Sequence, residues 1–181
     1  MDDLSFIQDY FERYHRSILG TDVSKEMIEM RDLLMETNKK GKKMILAGNG
    51  ASAAIAAHAA VDFTKQAEVR AVTFNEPSLI TAFSNDYGYE WWVQKALEFY
   101  ADTGDVIVLI SSSGQSPNVV NAARYAKKNG NPVITFTGFE EENLLKSMGD
   151  INFWVNNKAY NIIENIHSIW LMAVCDLIMG K

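Results

Sequence analysis

The sequence predicts one three-layer α/β/α domain, built on a five-stranded, parallel, doubly wound sheet with extra helices at both ends. Its 181 residues fit a single domain of ordinary size. Short runs that are apolar throughout alternate with segments of helical periodicity, a pattern typical of a parallel sheet covered on both faces. The composition, 48% hydrophobic and 22% charged, is an ordinary globular balance that argues against disorder.

The predicted elements follow in order along one domain, 1–181. Residues 1–40 form two helices, because apolar residues recur at helical spacing on both sides of a break at Gly20-Thr21-Asp22. The α/β core occupies 41–158, and a closing helix lies within 159–181. Core strands are predicted at 44–47, 69–74, 105–110, 132–136 and 151–155, and helices at 52–66, 89–100, 117–129 and 161–178.

Charge and cysteine content exclude several classes of protein. The net charge is −6, so a broad basic face for nucleic acid is not expected. The single cysteine, Cys175, excludes an intrachain disulfide and a cysteine-cluster zinc site. The start Met1-Asp2-Asp3 is acidic where a signal peptide is basic, and the longest clearly apolar run, Ile169 to Cys175, is short for a membrane span. We expect a cytoplasmic protein without membrane or nucleic-acid partners.

Two predicted strand ends carry loops suited to an anion. The first, Gly48-Asn49-Gly50-Ala51-Ser52, combines glycines, which allow close backbone approach, with a helix N-terminus. A plain tight turn with a serine cap is the alternative. The second, Ser111-Ser112-Ser113-Gly114-Gln115-Ser116-Pro117, places Ser116 as a helix N-cap before proline. Capping explains one serine but not its three neighbours, so a phosphate site made of hydroxyls is predicted.

A nucleotide cofactor is not expected at these loops. Neither has the spacing of a P-loop, and Ala53 stands where the dinucleotide fingerprint needs its third glycine.

Together these stretches resemble the sugar isomerase (SIS) domain family of phosphosugar-binding proteins, and most closely its phosphoheptose isomerases. The matching stretches, in family order, are Gly48 to Ala54, Ser84 to Tyr89, Thr103 to Val106, Ile110 to Ser116, Glu164 to His167 and Cys175 to Ile178. The resemblance implies that the phosphate is held by Ser111, Ser112, Ser113 and Ser116. It implies sugar contacts from Asn49, Gly50 and Ala51, with Ser52 beside them, and a pocket lining from Asn85 and Asp86. It also implies a homotetramer with terminal helices at subunit contacts and sites shared between chains.

Aldose–ketose isomerisation moves a proton between adjacent carbons and needs a base and an acid. His58 and Asp62 lie four residues apart, on one face of a helix, where they could chelate a metal. The resemblance implies a metal and proton-transfer role for His58 and Asp62, at positions where related isomerases have histidine and glutamate. Glu164 stands where glutamine is usual and remains a possible Zn²⁺ ligand. For an isomerase we predict Asp62 as the base and Glu164 as the acid or metal ligand. Met172 occupies the position of the family's usual histidine ligand, and a thioether is a poor zinc ligand. His167 is expected to be a buried structural histidine.

Two functions are therefore open. The first is a phosphosugar isomerase that interconverts sedoheptulose 7-phosphate and a heptose 7-phosphate, which the resemblance links to bacterial surface polysaccharide. The second is a non-catalytic phosphosugar-binding protein that acts as a sensor or as a scaffold for a protein partner, which the substitution at Met172 favours.

Overall fold

The computed structural model describes residues 2–181 and confirms the predicted α/β architecture. The elements in chain order are α1 (Asp3–Leu19), α2 (Ser24–Lys39), β1 (Met44–Gly48), α3 (Ala51–Lys65), β2 (Ala71–Thr73), α4 (Pro77–Tyr87), α5 (Trp92–Tyr100), β3 (Val106–Ser111), α6 (Pro117–Lys128), β4 (Val133–Thr137), β5 (Ile151–Trp154) and α7 (Tyr160–Met179), with a 3₁₀ turn at Lys146–Met148.

The sheet has the strand order β2-β1-β3-β4-β5, and every neighbouring pair is parallel. Strands β1, β3 and β4 are buried along their whole length, which explains why they read as continuous apolar runs. Chain order reverses direction across the sheet between β1 and β3, where Gly48 pairs with Ile110. In open α/β sheets this switch point is where ligands bind.

Helices cover both faces of the sheet. Met44 and Leu46 of β1 belong to a core shared with α2, α3 and α7, whereas Ile45 and Ala47 belong to a second core shared with α5 and α6. This alternation follows from the two-residue period of a strand. The two cores together fix the ends of β1 and β3, and therefore the loops that follow them.

Helix α4 is absent from the predicted elements. It begins at Pro77, and the Glu76 side chain accepts a hydrogen bond from the Leu79 amide as its N-cap. No residue of this helix is fully buried, but Leu79, Ile80 and Phe83 recur at helical spacing and pack against the second core. The sequence prediction overlooked this short apolar stripe.

Helix α7 is a core helix, although its length and composition alone would allow it to cross a membrane. It has 20 residues and a mean hydropathy of 1.5 over its most apolar window. Eight of its residues are buried in the domain, including Ile162, Ile166 and Leu171. Burial against the sheet accounts for this hydropathy.

Candidate functional site

The two predicted anion loops meet in one small hollow at the carboxyl ends of β1 and β3. Its volume is about 120 Å³, and it is lined by Asn49, Ser52, Ile110, Ser111, Ser112, Ser113, Ser116, Tyr160 and Glu164. The N-termini of α3 and α6 begin beside it, and free backbone N–H groups at helix starts favour anions. The predicted convergence of the asparagine–glycine bend and the serine loop is therefore present.

Close packing fixes the first loop. A Cβ atom on Gly48 would lie 2.7 Å from the Ser52 Cβ and 2.9 Å from the Ile110 carbonyl oxygen, so only glycine fits. Gly50 takes a positive φ of 55° and starts α3 without a side-chain cap. This geometry places Ser52, which is 3% exposed, against the end of β3. Gly50 and Ala51 are exposed beside the hollow and do not line it.

A strap from the segment after β4 fixes the second loop. Gly114 has a φ of 64°, and a Cβ there would overlap the side chain of Asn143, itself only 1% exposed. The Leu145 amide donates to the Gly114 carbonyl oxygen at 3.0 Å. Asn143 and Leu145 thus fix the backbone of the serine loop on the side away from the hollow, and the serine hydroxyls face the hollow.

The serine hydroxyls are poorly satisfied within the chain. Among residues 2–181, the buried Ser112 Oγ makes no hydrogen bond of good geometry, although it lies close enough to the Glu164 carboxyl to affect the pKa of that group. A buried polar atom without a well-placed partner is costly. Ser116 is the N-cap residue of α6, with Pro117 in the first turn, as the sequence predicts. Its side chain makes no capping hydrogen bond, and its Oγ lies 3.2 Å from Ser111 Oγ instead. These groups are available to an anionic ligand.

Glu164 brings the one acidic group into the hollow, from the second turn of α7. Burial raises the pKa of its carboxyl above the ordinary value, and the nearby Ser112 hydroxyl offsets part of that rise. A raised pKa brings a carboxyl closer to the pH at which acid–base catalysis is efficient. Tyr160, one turn earlier, is exposed at the rim.

The hollow also depends on residues that were not predicted as site residues. Asn118, in the first turn of α6, pairs with Asn49 through two side-chain hydrogen bonds of 2.8 and 2.9 Å. Tyr89 donates to the Asn49 oxygen at 3.0 Å. The available signal for Asn118 was a lone polar residue between Pro117 and an apolar run, which the proline turn alone does not explain.

Four predicted site residues lie away from the hollow of the described chain. Asn85 and Asp86 are exposed near the end of α4, where the Asn85 Nδ2 donates to Asp86 at 2.9 Å. His58 and Asp62 lie together on α3, with 3.4 Å between His58 Nε2 and Asp62 Oδ2. Asp62 is ten residues beyond Ser52 in the same helix, which is about 15 Å along its axis. Their predicted roles would need a second chain to bring them to a hollow.

The side chain of Met172 lies in a wide groove between α1 and α7 that also contains Tyr10, Phe11 and Tyr14. It is not beside Glu164 in the hollow, which it does not line.

His167 is fully buried, as predicted, and its Nε2 lies 3.0 Å from the Thr137 carbonyl oxygen. Cys175 is also buried, and burial with the nearby Asp62 charge raises the pKa of its thiol. Both properties are those of packing residues rather than of reactive groups.

The donor set does not fit a complete metal centre within one chain. Catalytic zinc is normally held by three protein ligands. Within residues 2–181, no three His, Cys, Asp or Glu side chains are grouped closely enough to hold a metal ion. His58 and Asp62 offer two donors, and the His58 side chain is 62% exposed.

Comparisons with known proteins agree with this fold. The pattern of the SIS domain matches residues 9–138. A phosphoheptose isomerase of Fusobacterium nucleatum is 32% identical, covering 97% of this chain and 93% of that protein. A probable phosphoheptose isomerase of Thermoplasma acidophilum is 34% identical, covering 95% and 97%. The solved phosphoheptose isomerase of Neisseria gonorrhoeae superposes with a TM-score of 0.92 at 28% identity, covering 98% and 99%. The chain belongs to the SIS domain family, among its phosphoheptose isomerases.

Proposed function

We propose that this protein is a phosphosugar isomerase that interconverts sedoheptulose 7-phosphate and a heptose 7-phosphate. The observation that carries the proposal is the shared hollow, where several serine hydroxyls, among them the poorly satisfied Ser112, meet a carboxyl of raised pKa. The hydroxyls and helix N-termini suit a phosphate group. The relatives named phosphoheptose isomerase support the choice of a seven-carbon sugar.

Glu164 is the proposed acid of this reaction. The ketose carbonyl oxygen must gain a proton as the neighbouring carbon loses one, which gives an enediol. Protonation of the former carbonyl carbon, with loss of the proton from the other enediol hydroxyl, then gives the aldose. A carboxyl whose pKa is raised by burial holds its proton at higher pH than an exposed one. It can therefore donate a proton to the former carbonyl oxygen and then take one from the neighbouring enediol hydroxyl.

Asp62 is the proposed base, and it would act from a neighbouring chain of a homotetramer. Within its own chain, Asp62 lies about 15 Å along α3 from Ser52. It is therefore too far from its own hollow and would serve the hollow of a neighbouring chain. Helices α1 and α7 also expose apolar side chains at Phe6, Phe11 and Ile169, beside a groove of about 890 Å³. A second copy would cover such a surface. Light scattering coupled to size exclusion tests this, and Phe11→Asp should shift the protein towards smaller species.

The direct test of function is turnover. Purified protein incubated with sedoheptulose 7-phosphate should generate an aldose 7-phosphate, visible as new anomeric proton signals by NMR. Ser111→Ala and Glu164→Gln serve as site controls. An inactive wild-type protein, tested with and without added Zn²⁺, would remove the proposal for this substrate.

Zn²⁺ binding is a separate proposal, limited to His58 and Asp62 as donors with completion from another chain. No reaction step is derived through it. Elemental analysis of protein purified without chelator should find zinc that is lost in His58→Ala. A metal content equal to that of the variant would contradict the proposal without touching the phosphate hollow.

A second candidate function is a non-catalytic phosphosugar sensor or partner-binding scaffold. Met172 favours it, because this side chain lies among aromatic residues in the α1–α7 groove and cannot transfer protons. A sensor would be stabilised by phosphosugar in thermal melts yet show no turnover. Turnover in the NMR assay excludes this candidate, and the absence of a melting shift counts against both.

We also place the protein in the cytoplasm, supplying heptose phosphate for surface polysaccharide. The acidic, single-cysteine composition and the phosphorylated substrate support this placement.

A further inference from the structure

Asn49, which lines the hollow, is hydrogen-bonded to a buried asparagine behind it. Asn118 is 1% exposed, and its Nδ2 donates to Asn49 Oδ1 at 2.8 Å. The Asn49 Nδ2 donates back to Asn118 Oδ1 at 2.9 Å. Tyr89, in the turn between α4 and α5, donates its hydroxyl to the same Asn49 oxygen at 3.0 Å. Three hydrogen bonds therefore act on the side chain of Asn49.

These bonds determine what Asn49 can offer a ligand. An asparagine amide has two acceptor lone pairs and two N–H donors. Both lone pairs of Asn49 Oδ1 are used, by Asn118 and Tyr89, and one N–H is used by Asn118. One N–H remains. The terminal torsion of a free asparagine side chain is broad. The hydrogen bonds to Asn118 and Tyr89 therefore prevent the Asn49 amide from rotating to turn its oxygen towards the hollow.

We propose that Asn118 and Tyr89 are positioning residues that hold the Asn49 amide as a hydrogen-bond donor towards an oxygen of the sugar. This inference rests on the proposed phosphosugar ligand but does not require turnover. Neither residue lines the hollow itself, so each acts through Asn49. The phosphate end is built separately, by the serine loop and its Asn143 strap.

The division between the two ends gives a measurable signature. Loss of the amide pair should weaken binding of the sugar part while leaving phosphate binding intact. A purely structural role for Asn118 would instead disturb α6 and its neighbouring serine loop, and both affinities would fall together. The ratio of the two affinities separates these cases.

The experiment is calorimetric titration of the full-length protein with sedoheptulose 7-phosphate and, separately, with inorganic phosphate. For Asn118→Ala we expect about tenfold weaker binding of the sugar phosphate, as for the loss of one well-placed hydrogen bond. The phosphate Kd should stay within about twofold. Asn131→Ala is the matched control, since Asn131 is also buried, at 3% exposure, and its Nδ2 donates to two carbonyl oxygens at the opposite sheet edge.

Tyr89→Phe removes the third hydrogen bond to Asn49. Because Tyr89 is 53% exposed, losing its hydroxyl leaves no buried cavity that could unfold the protein. About threefold weaker sugar-phosphate binding is expected from this change, with phosphate affinity again unchanged. If Asn118→Ala does not fold, this variant carries the test.

The inference is overturned if the affinity ratio in both variants equals that of Asn131→Ala, or if phosphate and sugar phosphate weaken equally. It is also overturned if wild-type protein binds sedoheptulose 7-phosphate no more tightly than phosphate. A protein that lacks turnover but shows the predicted fall in ratio would remove the proposed isomerase activity and leave the positioning role standing.

Discussion

The two edges of the sheet, at opposite ends of the same strands β1 and β3, treat buried polar groups in opposite ways. At the amino edge, Asp105 is fully buried and accepts from the Lys43 and Asp102 amides at 3.0 and 2.8 Å. Its carboxylate also pairs with Lys43 Nζ at 2.6 Å. Asn131 donates to the Asp102 and Asp105 carbonyl oxygens, both at 2.9 Å.

At the carboxyl edge the corresponding groups are left open. Ser112 Oγ is buried without a partner in the described chain, and the Glu164 carboxyl has a pKa raised by burial. A satisfied network stabilises the fold, whereas an unsatisfied one costs stability unless a ligand completes it. The difference indicates that the amino edge serves the fold and the carboxyl edge serves binding.

The largest expected effect is at the open edge. Glu164→Gln should lower kcat/KM by about 10³-fold, because an amide cannot transfer the proton. The same change should raise Tm by about 1 to 3 °C at pH 7. Burial raises the pKa of Glu164 in the folded state, so the stability that this carboxyl contributes is full at low pH, where it is protonated. That stability is lost as the pH rises through the folded pKa, because the buried group must then ionise. Glutamine does not ionise, so the variant avoids this loss at pH 7.

The Tm difference between wild type and Glu164→Gln should accordingly vanish below about pH 4, under the ordinary glutamate pKa. Calorimetric melts at several pH values, alongside the NMR assay, test both parts. Glu140→Gln, on an exposed side chain paired with Lys158, is the control. Retained turnover in Glu164→Gln would remove this residue as the acid.

The closed edge should give the reverse result. Asp105→Ala breaks a buried ion pair and leaves two backbone amides without their acceptor, which should lower the free energy of unfolding by about 3 kcal/mol. Phosphate affinity of the folded protein should stay within about twofold of wild type. Urea unfolding and phosphate titration measure the two quantities. A loss of phosphate binding without a loss of stability would contradict the division between the edges.

His167, beneath the end of β4, should make the protein sensitive to acid. Burial lowers its pKa to about 4, with the Thr137 carbonyl bond acting in the opposite direction. The ordinary value is about 6.5, so the unfolded chain binds more protons between these limits. Stability present above pH 6.5 is therefore lost as the pH falls, by up to about 3 kcal/mol.

Urea unfolding of His167→Gln between pH 7.5 and 5 measures this contribution, since glutamine keeps an N–H donor but does not titrate. The variant should show a flatter pH dependence than wild type. His15→Gln, on an exposed side chain of α1, should keep the wild-type slope. Equal slopes in all three proteins would contradict the assignment.

The smallest expected effect compares two buried hydroxyls. Ser112→Ala removes one without a partner, so stability should hold while phosphate binds about tenfold more weakly. Thr135→Val removes one that donates to Asn152 Oδ1 at 2.6 Å, and it should lose about 1 kcal/mol of stability with phosphate binding unchanged. Thermal melts and phosphate titration decide the comparison, and a stability loss in Ser112→Ala would mean that its hydroxyl is satisfied.

Prediction from the sequence succeeded where the chemistry is local. Each of the two loops directly follows an apolar strand along the chain. Each strand and each loop has its own local sequence pattern. Helix α4 was missed although Leu79, Ile80 and Phe83 recur at helical spacing and pack against the second core, because this stripe lies within a helix of only 11 residues. Ser116 was correctly predicted as the N-cap residue of α6, but its hydroxyl lies against Ser111, five residues earlier, and makes no capping hydrogen bond.

By itself the sequence determined the α/β class, the family and the position of the two loops after β1 and β3, because strand apolarity, glycine positions and runs of serine are properties of short segments. The tertiary structure alone decided which polar groups are satisfied. Asn118 meets Asn49 across 69 residues of chain, and Glu164 reaches the serine loop from α7. Burial and hydrogen-bond partners are set by segments that are distant in sequence, so no local pattern could reveal them.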